Sequence, residues 1–456
     1  MYKINLNEKF ARTLKAINVT DPKAKDKSVY QTLNDKHDIL FVLDPSKYIA
    51  ADFNLSIRKV LSSITENINI DLNSFLDLLD QKYHQEFVSI FLSNHEFINA
   101  KIFTLKTAKN NDEITHNYIL SDSYKDLINL SNILVEAENF SRKLQLMPSN
   151  YLNPKKFIEF VKNEFKPFQE QIDLEVFEPN QLKEMGMGLL LGVGNSANDE
   201  DKPRLLVIKS KNYSMNNKSL ALVGKGITFD TGGVCLKPSN YLAGMQYDMS
   251  GAAVVAGVML ALTKAKVTSN VCAVIPLAVN DISNLAIKTG DVLTSYSKKT
   301  VEIENTDAEG RLILADAISY AKKDLKAGTI LTIATLTGAI VVAFGGIHTG
   351  MWATSKDQET QIKKAAIQAG EYVWHMPFHF TYDEQMKHSL LADYINCAPG
   401  RNCGSSTAAT FLKFFAEDSN FLHLDIAGTN EIKTKNGNEP YPAMLRSLFY
   451  FTKNNF

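Results

Sequence analysis

The sequence predicts an α/β protein of two domains, a smaller N-terminal α/β domain and a larger C-terminal domain with a mixed, mostly parallel sheet flanked by helices. Three observations support this prediction. The 456 residues suffice for two domains with a large buried core. A long helical pattern ends in prolines and asparagines near residue 150. Beyond it, apolar strand-like runs alternate with helical segments, which is typical of parallel sheets covered by helices.

The first 130 residues are predicted to form the N-terminal α/β domain. Three short apolar runs resemble strands, namely DILFVLD, VSIFL and AKIFTL, and polar helical stretches separate them. No motif with recognisable chemistry occurs in this part of the sequence. We therefore expect an assembly or regulatory role for this domain.

A linker helix is predicted between the domains. Leu and Ile recur at three- and four-residue spacing in SDSYKDLINLSNILVEAENFSRKLQLM, which begins at Ser121. The segment MPSNYLNPKKF follows, and its two prolines and two asparagines indicate an end and a new start. We expect the linker helix over residues 131–150 and the larger domain over residues 151–456.

The larger domain is predicted as an alternation of strands and helices. The predicted strands are, in order, RLLVIKS, SLALVGKG, NVCAVIPLAVND, VEIENTDAEG and TILTIATLTGA. The predicted helices among them are GAAVVAGVMLALTKA and RLILADAISYAKK. In such sheets ligand sites gather at the carboxyl ends of the strands, so polar residues at those positions are candidates for function.

Composition excludes several classes of protein. Hydrophobic residues make up 45% and charged residues 22% of the chain, which is ordinary for a soluble globular protein. The net charge of -1 gives no reason to expect a nucleic-acid partner. The N-terminus lacks the apolar core of a signal peptide, and no stretch approaches the ~18 apolar residues of a membrane span. Four cysteines without a C-x-x-C pair fit a reducing compartment, so a cytoplasmic location and no membrane partner are expected.

Polar clusters occur where the predicted strands end. The segments VGKGITFDTGGVCLKP, MQYDMSGAA and ENTDAEGRLILADA supply four carboxylates and three cations, which are Asp230, Asp248, Asp307, Glu309, Lys225, Lys237 and Arg311. A fold that collects these strand ends places all of them in one cleft. Carboxylates crowded in this way repel one another unless positive charge lies among them.

Divalent cations would neutralise such a cluster. An oxygen-rich site suits Mg²⁺ or Mn²⁺, and Zn²⁺ also accepts carboxylate ligands. The nine histidines do not cluster and no H-E-x-x-H motif occurs, which disfavours a histidine-bound zinc centre. Four carboxylates in one cleft would either hold protons or bind divalent cations, and two metals that share bridging carboxylates would neutralise them.

Each group by itself also has a simpler explanation. An Asp-x-Glu pair before a helix complements the helix dipole, and Asp248 alone is an ordinary helix cap. Lys225 at a strand end is by default a solvated lysine, and its G-K-G lacks the spacing of a phosphate-binding loop. Composition does not reject these alternatives jointly, so they stay open at this point.

Taken together, the segments resemble the leucyl (cytosol) aminopeptidase family of two-metal exopeptidases. NTDAEGRLILADA matches the signature of that family, and VGKGITFDTGG, LKP and DMSGAA match its other metal-site segments in order and spacing. Weaker matches are MPSNYLNP, ATLTGA, WHMPF and HLDIAGT. The likeness covers roughly residues 140–450, while the preceding part resembles the family only in length and mixed α/β character.

The resemblance implies a catalytic metallopeptidase domain over residues 151–456 with two divalent ions per subunit, Mn²⁺ or Zn²⁺, with Mg²⁺ as a further option. One ion would be held by Lys225, Asp230, Asp248 and Glu309. The second, more exchangeable ion would be held by Asp230, Glu309 and both the carboxylate and the backbone carbonyl of Asp307. Because Lys225 ligates only as a neutral amine, the metal must depress its pKa, and burial and cationic neighbours are expected to help.

The resemblance also implies the reaction, which is release of N-terminal residues from peptides. A water that bridges two cations loses its proton near neutral pH and acts as the nucleophile, while one metal anchors the free α-amino group. Two residues are implied as catalytic. Charged Lys237 would stabilise the oxyanion, and Arg311 would hold a bicarbonate ion that shuttles the proton to the leaving amine.

The family pattern further implies a substrate pocket. Met245, Thr335, Gly338 and Ala427 would line it, and the backbone carbonyl of Leu336 would orient the substrate amine. An apolar lining would favour Leu or Met as the first residue of the peptide. Plain core packing explains Met245 and Ala427 equally well, and this alternative stays open.

Some positions depart from the family pattern. Tyr247 stands where many relatives carry a small residue, and NCAPGRNCGSSTAATFL is a changed version of a glycine-rich segment with Cys397 and Cys403 added. We interpret both cysteines as neutral drift, with a redox role left open. The family implies a homohexamer of two trimers. Alternatives are a dipeptidase with a preference such as Cys-Gly and a DNA-binding accessory protein, although the net charge gives a basic groove little support.

Overall fold

The computed structural model describes residues 10–21, 23–24, 30–32, 38–64, 66–100, 103–107, 116–216, 218–400, 402–434 and 437–456. The chain forms two compact units. The first comprises Met1–Asn139 with Ala366–Glu371, and the second comprises Phe140–Ala365 with Tyr372–Phe456. No helix within the described ranges is both long and apolar enough to cross a lipid bilayer.

The first unit contains a five-stranded sheet with helices. Its strands are β1 (Thr13–Asn18), β2 (Tyr30–Thr32), β3 (Ile39–Leu43), β4 (Ile68–Asp71) and β5 (His116–Ile119). Its helices are α1 (Ala50–Ser63), α2 (Leu72–Leu76) and α3 (His84–Asn99). The strand order is β2-β3-β1-β4-β5, in which only β2 runs antiparallel to its neighbour.

The core of this unit corrects two predictions. DILFVLD forms β3 as expected, and all five strand residues are buried. VSIFL is not a strand, because it lies in α3, where Phe87 and Phe91 one turn apart pack on the rings of α1 and α2. A short apolar run fits a strand and a buried helix equally well, which explains the error. AKIFTL forms no strand at residues 103–105, and residues 101 and 102 lie outside the described part.

The polypeptide passes from the first unit to the second within the next helix. This helix, α4 (Lys125–Leu146), starts and ends earlier than the linker helix expected over residues 131–150. The units divide between Asn139 and Phe140, inside α4. The segment Ala366–Glu371 joins the first unit from far along the chain, which no sequence pattern indicated.

The second unit contains the remaining elements, except that the last four residues of the helix Lys356–Ala369 belong to the first unit. Its helices are α5 (Pro154–Phe165), α6 (Pro179–Met185), α7 (Gly188–Val193), α8 (Ser239–Leu242), α9 (Ser250–Lys264), α10 (Gly310–Lys323), α11 (Gly338–Phe344), α12 (Lys356–Ala369), α13 (Phe380–Met386), α14 (Gly404–Ala416) and α15 (Leu445–Asn455). Its strands are β6 (Ile172–Phe177), β7 (Arg204–Ser210), β8 (Leu220–Gly224), β9 (Gly226–Asp230), β10 (Val271–Asn280), β11 (Val292–Thr294), β12 (Thr300–Glu302), β13 (Thr329–Ala334), β14 (Thr349–Ala353), β15 (Val373–His375), β16 (Tyr394–Ile395), β17 (Asn420–Asp425), β18 (Glu431–Thr434) and β19 (Gly437–Pro440).

The large sheet has the mixed, mostly parallel character that the sequence predicts. Its strand order is β15-β14-β17-β13-β8-β10-β7-β6, with β9 also paired to β10. The central strands β17, β13, β8 and β10 are parallel, and antiparallel pairs occur towards both edges. The helices α9 and α10 pack against these central strands, and α9 is buried from Ser250 to Thr263 as its apolar sequence predicts.

One predicted strand lies elsewhere. VEIENTDAEG contributes only the short β12, which belongs to a separate three-stranded sheet of order β11-β12-β16. The acidic residues after it therefore do not follow a strand of the large sheet, although they contact residues at its strand ends. Strand pairing stops here because the following turn bonds to a side chain instead, as Asn396 Oδ1 accepts from the backbone N–H groups of Glu304 and Asn305.

Candidate metal centre

Six of the seven polar side chains singled out from the sequence make ion pairs with one another. They form two groups, each of one lysine and two carboxylates. The first group is Lys225, Asp248 and Glu309, and the second is Lys237, Asp230 and Asp307. Lys225 lies between β8 and β9, and Asp230 is the last residue of β9. Asp248 lies two residues before α9, and the turn before α10 supplies the other two acids.

The Lys225 group is buried. Lys225 Nζ lies 2.7 Å from Asp248 Oδ2 and 2.8 Å from Glu309 Oε1, and it donates a hydrogen bond to the Thr335 carbonyl at 3.1 Å. Only a glycine fits beside this lysine, because a Cβ at Gly310 would lie 2.3 Å from Lys225 Cε. Gly310, which follows Asp-Ala-Glu in the sequence, therefore leaves the space that the Lys225 side chain occupies.

The Lys237 group is partly open to solvent. Lys237 Nζ lies 2.7 Å from Asp230 Oδ2 and also contacts Asp307 Oδ1. The other oxygen of Asp230 accepts from Gly232 N at 2.9 Å and from Asn280 Nδ2 at 2.8 Å. Gly232 has a φ of +87°, a left-handed conformation that favours glycine and that turns the loop back towards Asp307.

The donor set fits divalent cations. One ligand oxygen from each of Asp230, Asp307 and Glu309 can be chosen so that all lie within 4.8 Å of one another. Two lysines contact four carboxylates, so two negative charges stay unmatched when all four acids are ionised. Among the described residues, Asp248 Oδ2 and Glu309 Oε1 are buried without a hydrogen bond, each with only its ion pair to Lys225. Buried carboxylate oxygens of this kind are ligands for hard cations.

Crowding and burial shift the pKa values of the acids. Burial raises the pKa of Asp230 to about 6, and the charge of Glu309 adds to the effect. Burial likewise raises the pKa of Asp248 and of Asp307. Burial acts on Glu309 in the same sense, but the nearby charges of Lys225 and Lys237 outweigh it and lower the pKa of Glu309. The lysine charges therefore favour the ionised form of Glu309, whereas burial favours the protonated form of the other three acids.

The surroundings of Lys225 correct one expectation. Burial lowers its pKa as expected, but the charges of Asp248, Glu309 and Asp230 outweigh burial and raise the pKa above its usual value. The carboxylates around this lysine therefore hold its proton in place. A metal that takes the amine as a ligand must displace that proton.

Arg311 lies in the first turn of α10, beside the metal-site acids. Its Nη1 donates to the Asn396 carbonyl at 2.8 Å, and burial lowers its pKa below the usual value. Its buried Nε has no hydrogen-bond partner within the described part of the chain. A buried donor of this kind is costly, which makes an anion at this position favourable.

The residues expected to line a substrate pocket differ in their surroundings. Thr335 joins the metal site, because its Oγ1 donates to Asp248 Oδ1 at 2.8 Å. Leu336 and Ala427 are held by one carboxylate, since Asp425 Oδ1 accepts from their backbone N–H groups at 3.0 Å and 3.2 Å. Ala427 also packs against a small apolar cluster with Trp352, so the core-packing explanation holds for it in part.

Met245 and Gly338 are neighbours of other proposed site residues along the chain. Met245 is half-buried and precedes Asp248 by three residues. Gly338 is exposed at the start of α11, and a Cβ added there would meet nothing within 4 Å. Open space at Gly338 is compatible with a substrate side chain.

Sequence reasoning missed three buried polar residues around the site. Asn280 and Asp425 are the last residues of β10 and β17, so the rule that sites gather at strand ends identifies both. No sequence signal indicated Asn396, which lies beside Cys397 in the changed glycine-rich segment. Cys397 and Cys403 are both free thiols, and Cys403 is exposed with a φ of 54°.

Comparisons with known proteins agree with this site. Residues 139–448 match the model of the cytosol aminopeptidase family, catalytic domain. A probable cytosol aminopeptidase of Mycoplasma pneumoniae is 40% identical over 390 residues, which cover 84% of this chain and 85% of that protein. A probable cytosol aminopeptidase of Legionella pneumophila (strain Corby) is 37% identical over 434 residues, covering 92% and 87%.

A solved structure shares the fold over nearly the whole chain. It is the bottromycin maturation enzyme BotP in complex with Mn, which superposes with a TM-score of 0.81 at 23% identity and covers 97% of this chain and 99% of that one. The sequence relatives confirm the family that the motifs indicated. The chain therefore belongs to the cytosol aminopeptidase family and is a metal-dependent aminopeptidase.

Proposed function

We propose that this protein releases N-terminal residues from peptides, with Leu or Met preferred, at a two-metal centre. The ligands of one ion are Lys225, Asp230, Asp248 and Glu309, and those of the second are Asp230, Asp307 and Glu309. One observation carries the proposal. Within the described part of the chain, two lysines contact the four carboxylates of this cluster, so two negative charges are left without a cation when all four acids are ionised. Oxygen donors and one amine suit Mn²⁺, Zn²⁺ or Mg²⁺.

Two divalent cations bound there would supply a water of lowered pKa and polarise the peptide carbonyl. Two lysines of the site have further roles in the proposed reaction. Lys225 loses its proton before its amine serves as a ligand, so metal binding releases protons. Asp230 and Asp307 hold the ammonium of Lys237 at the edge of the cluster, where it donates to the oxygen of the scissile carbonyl as negative charge develops.

Arg311 would hold a bicarbonate ion, which would supply a base for proton transfer at this position. Its buried Nε supports this role, because no described residue accepts a hydrogen bond from it. The Asn396 carbonyl fixes the guanidinium through Nη1 and leaves Nε for the anion. The role of Arg311 is therefore to bind and orient the anion, and the guanidinium keeps its charge while it does so.

The substrate enters amine first. The carbonyl of Leu336 orients the α-amino group, and the carboxylates attract it. Met245, Thr335, Gly338 and Ala427 line the pocket for the first side chain, and the open space at Gly338 supports this placement. One extra methylene in such a pocket changes binding by about 1–3 kcal/mol, so preference among apolar residues is graded rather than absolute.

The proposal includes a cytoplasmic location and a homohexamer of two trimers, with the N-terminal domain serving assembly. The relatives from both bacteria are named cytosol aminopeptidases, which supports the location. Sedimentation velocity of the purified protein tests the assembly, and a monomer at all concentrations contradicts it. Cell fractionation with an antibody tests the location.

The experiment that tests the activity is hydrolysis of leucine p-nitroanilide by protein that has been stripped of metal. Mn²⁺, Zn²⁺ or Mg²⁺ is then restored, and Asp307→Ala is measured beside wild type. The matched control is Asp418→Ala, which removes a carboxylate paired with Lys322 on the surface. Restored activity in wild type and control, but not in Asp307→Ala, is expected. Parallel assays on Leu-Gly-Gly and Cys-Gly separate an aminopeptidase from a dipeptidase.

A further inference from the structure

We propose that Asn280 is a positioning residue of the metal centre, which fixes the orientation of the Asp230 carboxylate and ties it to the turn that carries Asp307 and Glu309. The inference rests on the proposed metal site. Asn280 is the last residue of β10 and is buried, with 2% of its surface exposed.

An irregularity in the sheet directs this side chain. The parallel register of β10 with β9 pairs Ala278 with Ile227 but Asn280 with Asp230, so it shifts by one residue between the two pairs. Irregularities of this kind are common next to active sites, where they redirect a side chain. Here the shift sets Asn280 opposite the carboxylate of its neighbouring strand.

Both amide hydrogens of Asn280 are used at the site. Nδ2 donates to Asp230 Oδ1 at 2.8 Å and to the Thr306 carbonyl at 3.1 Å. Asp230 belongs to the large sheet, whereas Thr306 precedes Asp307 in the turn after the small sheet. One side chain therefore links two segments that no shared strand ladder holds together.

The link continues through neighbouring backbone groups. Thr306 Oγ1 donates to the Gly232 carbonyl at 2.6 Å and accepts from Cys235 N at 2.8 Å. The backbone carbonyl of Asn280 accepts from the N–H of Thr231 at 2.9 Å. The loop after Asp230 is thus fastened both to Asn280 and to Thr306.

The consequence concerns the two oxygens of Asp230. Oδ1 accepts from Gly232 N and from Asn280 Nδ2, while Oδ2 faces Lys237. The two hydrogen bonds to Oδ1 fix the orientation of the carboxylate, so that Oδ2 is the oxygen that faces Lys237 and the other acids. Without Asn280, Asp230 Oδ1 keeps Gly232 N as its one donor, so the carboxylate is held less firmly, and the turn that carries Asp307 loses its direct hydrogen bond to β10.

The test is metal affinity of the stripped full-length protein. Asn280→Leu keeps the size of the side chain and removes both donors, and Asn280→Ala serves as a second variant should the leucine prevent folding. The matched control is Gln358→Leu, which removes a buried amide that donates to Thr329 Oγ1 at the other end of β13 from Thr335. Titration with Mn²⁺ and with Zn²⁺ by calorimetry gives the number of sites and their dissociation constants, and thermal unfolding of the stripped proteins gives stability.

We expect the Asn280 variants to bind at least one of two ions about 10- to 100-fold more weakly than wild type and the Gln358→Leu control, at comparable stability of the stripped proteins. Wild-type affinity in both Asn280 variants, with two ions bound, overturns the role of Asn280 and leaves the proposed function standing. A wild type that binds no divalent ion overturns both.

Discussion

Gly310 and Lys225 approach each other so closely that a Cβ on Gly310 would lie 2.3 Å from Lys225 Cε and 2.6 Å from its Nζ. The two residues are 85 positions apart in the sequence. The first turn of α10 therefore lies directly against a buried lysine, and the ammonium of this lysine lies between Asp248 and Glu309. Any side chain at position 310 would displace the Lys225 side chain from its present place.

Replacing Gly310 with Ala is expected to displace Lys225 and to reduce activity strongly. Alanine favours a helix by about 1 kcal/mol over glycine, but overpacking costs about 1–3 kcal/mol, so stability changes little or falls modestly. We expect kcat/KM to drop at least 100-fold because an ångström of misplacement at a site costs about that much. Activity assays beside thermal unfolding test this, and full activity in Gly310→Ala would show that the two residues are not in close contact in the working enzyme.

Lys237→Met separates catalysis from metal binding. The ammonium of Lys237 contacts Asp230 and Asp307, so its removal leaves these acids less neutralised. We expect kcat to fall about 10²- to 10³-fold, as for the loss of one oxyanion donor, while divalent ions bind at least as tightly as to wild type. Steady-state kinetics and metal titration on the same preparation measure both quantities. Weaker metal binding in this variant would show that Lys237 acts through the ligands instead.

Asp316 is a carboxylate of the signature segment that lies away from the metal cluster. Its Oδ2 accepts from the N–H groups of Leu189 and Leu190 at the start of α7, and its Oδ1 accepts from Tyr296 N at 2.7 Å. Burial raises the pKa of Asp316 to about 7 in spite of these three donors. In the folded protein this acid therefore keeps its proton over a range in which the unfolded chain has lost it.

The sign of the resulting pH effect follows from linkage. A group whose folded pKa is raised contributes stability that is fully present below its unfolded pKa, near 4, and is lost as the pH rises through about 7. Asp316→Asn lowers stability at every pH, because its NH₂ cannot accept from a backbone N–H. The difference in melting temperature between wild type and variant is nevertheless expected to narrow from pH 5 to pH 8. A gap that stays constant over this range would show that Asp316 is ionised throughout.

Much of the site is predictable from the sequence because its residues follow strand ends in ungapped motifs. Asp230 follows an apolar strand, and Asp248 precedes an apolar helix, so their meeting in one cleft follows from α/β topology. The parallel arrangement of the central strands and the burial of α9 follow from the same alternation. The family resemblance added the assignment of the acids to two metals.

Other features could not be predicted because they depend on contacts between distant segments. The tie of Asn396 to the acidic turn spans some 90 residues and involves an amide without a motif. VSIFL is too short for its hydrophobic periodicity to distinguish a helix from a strand. In the structure it belongs to a helix in which Phe87 packs on the ring of Phe53. The raised pKa of Lys225 depends on the number of carboxylates around one ammonium, which spacing along a chain does not reveal.

Asp425 is expected to control substrate binding rather than the metals. It is fully buried, and its Oδ1 accepts from the N–H groups of Leu336 and Ala427 while its Oδ2 accepts from Thr337 Oγ1 at 2.6 Å. The two walls of the proposed pocket are therefore held at a fixed distance by one carboxylate.

Two substitutions of Asp425 should differ in a defined way. Asp425→Asn keeps Oδ1 for both N–H groups, and its NH₂ can donate to the Thr337 hydroxyl, which can turn to donate to Ser405 Oγ 2.8 Å away. Asp425→Ala leaves two backbone donors without an acceptor, at about 1–3 kcal/mol each, so the walls shift. We expect Asp425→Ala to raise KM for leucine p-nitroanilide about 10-fold or more with a smaller change in kcat, and Asp425→Asn to stay within a few-fold of wild type. Metal content should be unchanged in both, because Asp425 contacts none of the proposed ligands in the described structure. Loss of bound metal in Asp425→Ala with KM unaltered would place its influence on the metal centre and not on the pocket.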